Sequence, residues 1–217
     1  MAISRAREIG AGETGSAASL LFAAGRRPGA DAIRQLVQGQ GEFSISFDPA
    51  GESGSESDTP ADGQTWLELL ANGLTFDLVG LVPGAPAAAP PCVHGYAVRG
   101  IADPAALESL TLRPGPHLAG GHAMMPVIRS QAWLAASLAQ LDGVDAVAWH
   151  PARSWCAPGY FREGVLRWIE GGVFPGLGLT ALADAPDGGM HSEGLTPFIG
   201  QELRIEPELM ADRAAGA

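Results

Sequence analysis

The sequence predicts an α+β fold in which helices cover a mixed, largely antiparallel sheet. In the first half of the chain, Asn72-Gly73 separates two apolar runs at 65–71 and 74–82. Asn-Gly favours a type I′ hairpin turn, because both central residues need a positive φ. Residues 42–48 alternate apolar and polar side chains, which is typical of a half-buried strand. The order of elements mixes hairpins and helices, and this order indicates an α+β rather than an α/β fold.

The other elements of the first half follow from local signals. A short strand is predicted over residues 19–24. Pro28 and Asp31 are typical of a helix start, and Gly39 is typical of its end. Residues 83–92, PGAPAAAPPC, are predicted to form a stiff, extended crossover linker because proline restricts the backbone.

The second half is predicted from apolar periodicity and from Pro and Gly boundaries. Residues 124–141 carry apolar side chains every three or four positions, as an amphipathic helix does. Asp103-Pro104 is predicted to start another helix, with Leu107 and Leu110 on its apolar face. The remaining predicted elements are strands at 93–101 and 144–149, a helix from Pro158 to Gly171, and strands at 177–183 and 195–206.

The domain organisation is predicted from composition. Residues 1–16 are predicted to be a flexible N-terminus, and residues 17–210 a single α+β domain. Within that domain, residues 49–63 are acidic, lack large apolar side chains and are predicted to form a mobile loop. Two subdomains, 17–82 and 93–210, are the alternative, with the linker at 83–92 between them.

Charge and composition limit the partners that we expect. The 217 residues carry a net charge of −11, and all 13 basic residues are arginines, a bias typical of a GC-rich bacterial genome. Acidic proteins bind nucleic acid and anionic membranes poorly, so we predict neither partner. No signal segment or membrane span is predicted, and the two cysteines show no CxxC spacing. These features predict a cytoplasmic protein whose partner is another protein or a second copy of the chain.

Residues 149–156, WHPARSWC, are the candidate ligand-binding segment. They lie between a predicted strand and the helix that starts at Pro158, where unpaired N–H groups favour an anion. The candidate residues are Trp149, His150, Arg153, Trp155 and Cys156. They predict either a Cys–His nucleophile pair or a site for a small anionic ligand. The alternative is a loop that packs across the sheet edge, with the cysteine as a small buried hydrophobe.

Two other groups of polar residues are not predicted to form sites. The first is excluded by its spacing along the chain and the second by the direction of its side chains. His94, His117 and His122 lack the close Cys/His spacing of a zinc site, so no metal is predicted. Residues 191–193, HSE, contain the residue types of a catalytic triad. Adjacent residues on a strand point to opposite faces, however, so these three cannot form one relay.

Two further features have simpler explanations than a site. Residues 176–181, GLGLTA, resemble a dinucleotide-binding fingerprint, but they follow a helix and alternate like a strand. No cofactor is therefore predicted. Asp77 is a lone carboxylate in an apolar strand, and we predict that it is exposed on the polar face of that strand.

The second half of the chain resembles a known family. The residues that carry the resemblance are the Ala/Leu-rich helix at 124–141, the strand at 144–149, Tyr160-Phe161, Gly194-Leu195 and Glu202-Leu203. Over roughly residues 93–208 the chain resembles a bacterial family known only as a domain of unknown function, whose members end in a Gly-Leu…Glu-Leu strand. The resemblance implies an α+β fold and a bacterial origin. It implies no activity and no site residues.

Two hypotheses about function follow from the sequence. The first is a non-enzymatic accessory or protein-interaction domain, because no catalytic constellation converges in the sequence. The alternative is a small hydrolase or transferase that uses His150, Arg153 and Cys156 around a pocket at the Pro158 helix start.

Overall fold

Eight strands form the main sheet of the protein, and three more form a small second sheet. The computed structural model describes residues 16–49, 65–101, 103–118 and 120–208. In chain order its helices and strands are β1 (Ala18–Phe22), α1 (Ala30–Gln40), β2 (Ser44–Phe47), β3 (Thr65–Ala71), β4 (Leu74–Leu81), β5 (His94–Tyr96), β6 (Glu108–Pro114), α2 (Met125–Leu138), β7 (Val144–Trp149), β8 (Ser154–Cys156), α3 (Pro158–Ile169), α4 (Gly176–Leu179), β9 (Ala181–Asp184), β10 (Met190–Glu193), α5 (Thr196–Ile199) and β11 (Arg204–Ile205).

The strand order confirms the predicted fold class. The main sheet runs β2-β3-β4-β6-β1-β7-β8-β5, and the small sheet runs β11-β10-β9. Every neighbouring pair is antiparallel except β5 and β8, which are parallel. Strands from before and after the 83–92 linker pair with one another in the main sheet, since β6 lies between β4 and β1.

The helices α1, α2 and α3 cover one face of the main sheet, here called the helix-covered face. Ala18, Leu20 and Phe22 of β1 point into this layer, where they pack with apolar side chains of the three helices in one core cluster. α3 packs through one apolar stripe, because apolar residues three and four positions apart lie on the same side of a helix. α2 differs from the predicted amphipathic helix: ten of its 14 residues are buried, so it has neighbours on most of its sides. The main hydrophobic core therefore lies between the sheet and these helices.

The opposite face is covered over only part of its width. Leu21, Ala146, Ala148 and Trp155 form a second apolar cluster there, against Cys92, Val98, Ile101 and Leu107. The 83–92 linker contributes Cys92 to this contact. Its Ala87 N–H donates to the Ser109 carbonyl at 3.1 Å, which places Ala87 beside β6 in the plane of the sheet. β1 is thus buried on both faces, and the segment between β4 and β6 supplies the second layer.

The predicted Asn-Gly hairpin is present. β3 and β4 pair in register from Ala71 and Leu74 outward. Asn72 and Gly73 have φ values of 53° and 76°, as a type I′ turn requires. Residues 42–48 alternate in burial as predicted. Phe43 is buried, whereas Ser44 and Ser46 are exposed.

The predicted helix at Asp103-Pro104 is wrong. Asp103 caps only a 3₁₀ turn, Pro104–Ala106, through a bond from the Ala105 N–H at 2.9 Å. The chain then enters β6, a central strand in which Leu110 and Leu112 face the helices. The intervening Thr111 lies on the opposite face. Residues 109–113 therefore alternate as a half-buried strand does, and the prediction was wrong because the Asp103-Pro104 signal starts only the 3₁₀ turn.

Four other predicted elements differ from the structure. The strand predicted at 177–183 is instead the short helix α4 followed by β9. α1 continues through Gly39 to Gln40, and Gly41 caps it in the left-handed conformation. The strand predicted at 93–101 covers only His94–Tyr96. The strand predicted at 195–206 is instead the short helix α5 and the two-residue strand β11, because Pro197 at the second position of α5 favours a helical turn.

The predicted flexible N-terminus, residues 1–16, and the predicted acidic loop, residues 49–63, lie almost entirely outside the described residues. Ser16 is described, and its hydroxyl donates to Gln131 Oε1 at 2.6 Å. Within the described part of the chain, no helix combines the length and hydropathy that crossing a bilayer requires.

A matched pair of glycine substitutions tests the hairpin turn. Gly73→Ala should lower the free energy of unfolding by about 1 kcal/mol, because a left-handed φ is unfavourable for residues with a Cβ. Gly39→Ala should raise it by about 0.5–1 kcal/mol, because Gly39 is within a helix. A Cβ meets no atom within 4 Å at either position, so backbone conformation alone sets the sign. Urea unfolding measures both values, and equal signs would contradict the turn assignment.

Candidate functional site

The structure separates the five candidate residues of the segment 149–156. Trp149 and Cys156 are buried in the core of the helix-covered face. Trp155 packs in the cluster on the opposite face. This separation follows from the pleat of β8, where successive side chains alternate between faces. His150 also faces away from the helices, and Arg153 lies at the protein surface in a left-handed turn between β7 and β8.

Both thiols are free and are poor nucleophiles at neutral pH. Cys156 is fully buried, and burial raises the pKa of its thiol to about 12. Burial also raises the pKa of the Cys92 thiol, to about 11. The thiolate is the reactive form of cysteine. The helix start at Pro158 therefore does not activate Cys156.

His150, directly after β7, ends a chain of hydroxyl groups, here called the hydroxyl chain, that runs over β1 and β6 on the opposite face. His150 Nε2 lies 2.8 Å from Ser19 Oγ, which lies 2.9 Å from Thr111 Oγ1. Thr111 Oγ1 is in turn 3.2 Å from Ser109 Oγ. Burial lowers the pKa of His150 to about 4, so the imidazole is neutral at pH 7.

Glu193 is the centre of a charged cluster that the sequence did not predict. It accepts two bonds from Arg153, at 2.9 Å from Nε and 2.5 Å from Nη2. His94 Nε2 lies 3.1 Å from the same carboxylate, and His191 Nε2 lies 3.6 Å from it. Arg153, which has the largest effect, and His94 lower the pKa of Glu193. The cluster joins the β7–β8 turn to the small sheet.

The neighbours of Glu193 behave as the strand pattern predicts. Ser192 points to the other side of β10, where its hydroxyl donates to Glu202 Oε2 at 2.6 Å. The carboxylate of Glu202 also accepts from the N–H groups of Leu195 and Thr196, at 3.1 and 2.9 Å. Ser192 and Glu193 thus serve different networks, and the prediction that residues 191–193 form no relay fits this geometry.

The prediction that Asp77 is exposed is wrong. It is buried rather than exposed, with a relative accessibility of 1%. Arg113, its partner across β4 and β6, places Nε 3.7 Å from Oδ2 of Asp77. Asp77 lies on the face of β4 that points away from the helices, but this face of the sheet is covered at Asp77.

Polar side chains continue across the strands next to Asp77. His117 Nε2 lies 2.7 Å from Thr75 Oγ1 and 3.7 Å from Glu68 Oε2.

The histidines considered for a metal site do not meet. His94 contacts Glu193, in a different part of the molecule from His117. Among the residues that the structure describes, no group of His, Cys, Asp or Glu could hold a metal ion.

Two surface clefts border α3, and neither includes a residue of the segment 149–156. The first, here called the apolar cleft, lies between α3 and residues 173–179 and has a volume of about 350 Å³. Three of its lining side chains are exposed, with relative accessibilities of 41% at Tyr160, 81% at Val173 and 47% at Leu177.

The second cleft, here called the three-helix cleft, lies where the ends of α1 and α2 approach α3. Its volume is about 330 Å³. Trp133, Leu166 and Ile169 give it an apolar wall, and Gln40 and Arg162 contribute polar groups. Gln40 Oε1 and Arg162 Nε are buried without a hydrogen-bond partner among the described residues.

Neither cleft was predicted from the sequence. The available signal for the apolar cleft was Val173-Phe174 between Gly171-Gly172 and Pro175, two large apolar residues in a stretch typical of exposed loops. Nothing in the sequence relates Gln40 to Arg162, because they come from different helices.

A first prediction concerns the thiols. Cys156 should react with iodoacetamide at least about 100-fold more slowly than free cysteine at neutral pH, because its thiolate is disfavoured and its sulfur is buried. Labelling followed by peptide mass spectrometry measures the rate. Labelling in concentrated urea is the control, where both cysteines should react normally. A folded-state rate equal to that of free cysteine would contradict the buried position.

A second prediction concerns His150. Because its folded pKa is about 4, the unfolded state takes up the proton first, at its ordinary value of 6.5. The stabilising effect is complete above pH 6.5 and is lost toward pH 4, by up to about 3 kcal/mol. Urea unfolding between these limits measures the loss. His150→Gln can keep a bond to Ser19 but does not titrate, so its pH dependence should be weaker. Parallel curves for the two proteins would contradict the assignment.

Comparisons with known proteins give no match: no family model, no curated protein and no solved structure is significantly similar to the chain. The resemblance to a bacterial family of unknown function therefore stays a prediction.

Proposed function

We propose that the protein is a non-enzymatic interaction domain, and that the apolar cleft binds a short apolar segment of a partner protein. The observation that carries this proposal is the exposure of Tyr160, Val173 and Leu177 around one cleft. Single exposed apolar residues are common, but a contiguous apolar patch on a soluble domain is typical of an interaction site.

The cleft is supported by rigid packing beneath it. Phe174 packs edge-on against Trp168 and Phe198, with ring centroids 5.4 and 4.8 Å apart. Gly164 allows Pro175 to approach α3, since a Cβ at this position would lie 3.2 Å from the Pro175 Cβ. Phe174 and Pro175 are therefore packed in place before any partner binds, so the entropic cost of binding falls on the exposed rim residues.

The chemistry of the rim favours a protein segment over a small polar ligand. Glu163 and Arg167 form an ion pair at 2.5 Å, so the charges at this cleft are already partnered. The exposed groups are an aromatic ring and two aliphatic side chains, which bind apolar side chains best. A volume of about 350 Å³ suits two or three such side chains.

The alternative hypothesis, a hydrolase or transferase at residues 149–158, has little geometric support. Cys156 and His150 lie on opposite faces of the main sheet, and Arg153 is paired with Glu193. A nucleophile and its base must lie within hydrogen-bond distance of each other. We therefore place the function in the apolar cleft.

Selection from a displayed peptide library tests the proposed function. We expect the wild-type protein to enrich peptides with two or three closely spaced apolar side chains. Val173→Asp and Leu177→Asp should each weaken the binding of a selected peptide at least about tenfold, because a carboxylate in an apolar contact must be desolvated. Fluorescence polarisation with the labelled peptide measures the affinity.

Val93→Asp is the matched control, because Val93 is 57% exposed and lies outside the cleft. It should bind the selected peptide as tightly as the wild type. The proposal fails if the cleft variants retain full affinity, if the control loses as much, or if the library yields no apolar peptide.

A further inference from the structure

We propose that the partner protein at the apolar cleft is a second copy of this chain, paired about a two-fold axis so that residues 173–177 of each copy enter the cleft of the other. This inference rests on the proposed function, because it names the partner of the same cleft. Three observations about the surface around the cleft support it: exposed apolar side chains that match what the cleft would bind, the apolar area, and the local balance of charge.

The first observation is that the chain carries both halves of the contact on one surface. Val173 lies on the rim of the cleft and, at 81%, is the most exposed large apolar side chain that the structure describes. Leu177, four positions later, is 47% exposed on the same rim. Two exposed apolar side chains this close in sequence match the short apolar segment that the cleft is proposed to bind. A two-fold pair needs such a surface, because the same patch serves on both copies.

The packing next to Val173 keeps its side chain out of its own cleft. The ring of Phe174 contacts the rings of Trp168 and Phe198. Pro175 packs closely against α3. Because Phe174 and Pro175 are fixed in this way, Val173 is presented to the solvent, and burial of its side chain needs a second molecule.

The second observation is the size of the apolar surface. Ile199 extends this surface beyond the cleft, because it is 54% exposed and follows Phe198, whose ring contacts Phe174. Four side chains together expose roughly 400 Å² of apolar area, within the range of about 300–600 Å² that the largest patch on a monomer covers. These side chains are Tyr160, Val173, Leu177 and Ile199.

This area is sufficient for a weak dimer. Homodimer interfaces are about 65% apolar, so roughly 400 Å² of apolar area corresponds to an interface of roughly 600 Å² per copy. Two copies then bury roughly 1,200 Å², which is the lower limit for specific, stable interfaces. A short peptide within the cleft would leave Ile199 exposed, since Ile199 lies outside the cleft, whereas a second copy can cover the whole surface.

The third observation is the balance of charge. The chain has a net charge of −11, so two copies repel each other unless their contact surface is close to neutral. The cleft lining includes two charged residues, Glu163 and Arg167, which pair with each other. A contact at the apolar cleft therefore brings together no unpaired charge from the lining, which makes it compatible with an acidic chain.

Sedimentation velocity of the full chain tests the proposal over concentrations from about 1 to 500 µM. We expect a reversible equilibrium between monomer and dimer with a Kd of about 1–100 µM, because the interface lies at the small end of the size range. A chain that remains monomeric up to about 500 µM would overturn the proposal.

Substitutions locate the contact. Val173→Asp and Leu177→Asp should each raise the dimer Kd at least about tenfold, because each would place a carboxylate in the apolar contact. Val93→Asp is the matched control: it adds the same negative charge at an exposed position outside the cleft and should dimerise as the wild type does. Unchanged Kd values in both cleft variants, or an equal loss in the control, would reject the contact.

The salt dependence of the dimer tests the charge argument. Raising NaCl from about 0.02 to 0.15 M shortens the Debye length to about 8 Å and screens the repulsion between the two acidic chains. We expect the dimer Kd to fall at least about threefold over this range. A higher Kd at the higher salt concentration would indicate that ion pairs hold the contact and would contradict an apolar one.

The peptide selected in the library experiment separates this inference from the proposed function. Saturating peptide should convert the dimer to monomers, because the peptide and the second copy compete for the cleft. A chain that binds the peptide through the cleft but stays monomeric retains the proposed function and rejects the second copy as partner. A dimer that persists in saturating peptide also rejects this inference. A dimer that Val173→Asp disrupts, together with a library that yields no peptide, supports the second copy and rejects the binding of short segments.

Discussion

The structure depends on the burial of β1 at the centre of the main sheet. Each of its five residues, Ala18 to Phe22, is at most 1% exposed. β1 pairs on one side with β6 and on the other with β7. The centre of the sheet therefore forms only when segments about 90 and 130 positions away from β1 in the sequence reach it. Bringing such distant segments together lowers the entropy of the chain. The burial of apolar side chains on both faces of β1 must offset this loss. Ser19 is compatible with this position because Thr111 and His150 satisfy its hydroxyl.

Local signals were enough to predict the elements whose contacts are near in sequence or whose apolar pattern is strong. The hairpin of β3 and β4 needed only Asn72-Gly73, and α2 and α3 needed only their apolar periodicity. β6 was missed although residues 109–113 alternate polar and apolar side chains as a half-buried strand does. The helix-start signal of Asp103-Pro104 was extended over them, with Leu107 and Leu110 taken as one helical face, whereas that signal starts only a 3₁₀ turn.

The candidate site could be predicted only in part, because its partners are remote. The segment 149–156 was selected for its chemistry, and the structure does place His150 and Arg153 in specific polar contacts. Their partners, Ser19 and Glu193, are 131 and 40 positions away in the sequence. No local pattern indicates such pairs. The buried ion pair of Asp77 with Arg113 was missed for the same reason, since strand register decides it.

α3 borders both clefts and also packs into the core, so its three sides have three different surroundings. At about 100° per residue, Phe161 and Val165 form one side, which packs into the core. Residues 160, 163, 164 and 167 form a second side, which borders the apolar cleft. Residues 162, 166, 169 and 170 form the third, which borders the three-helix cleft. A helix that served only the core would need one apolar stripe. Tyr160 on the second side is exposed, whereas Ile169 on the third side packs against the core, so the second side can offer a binding surface without loss of core contacts.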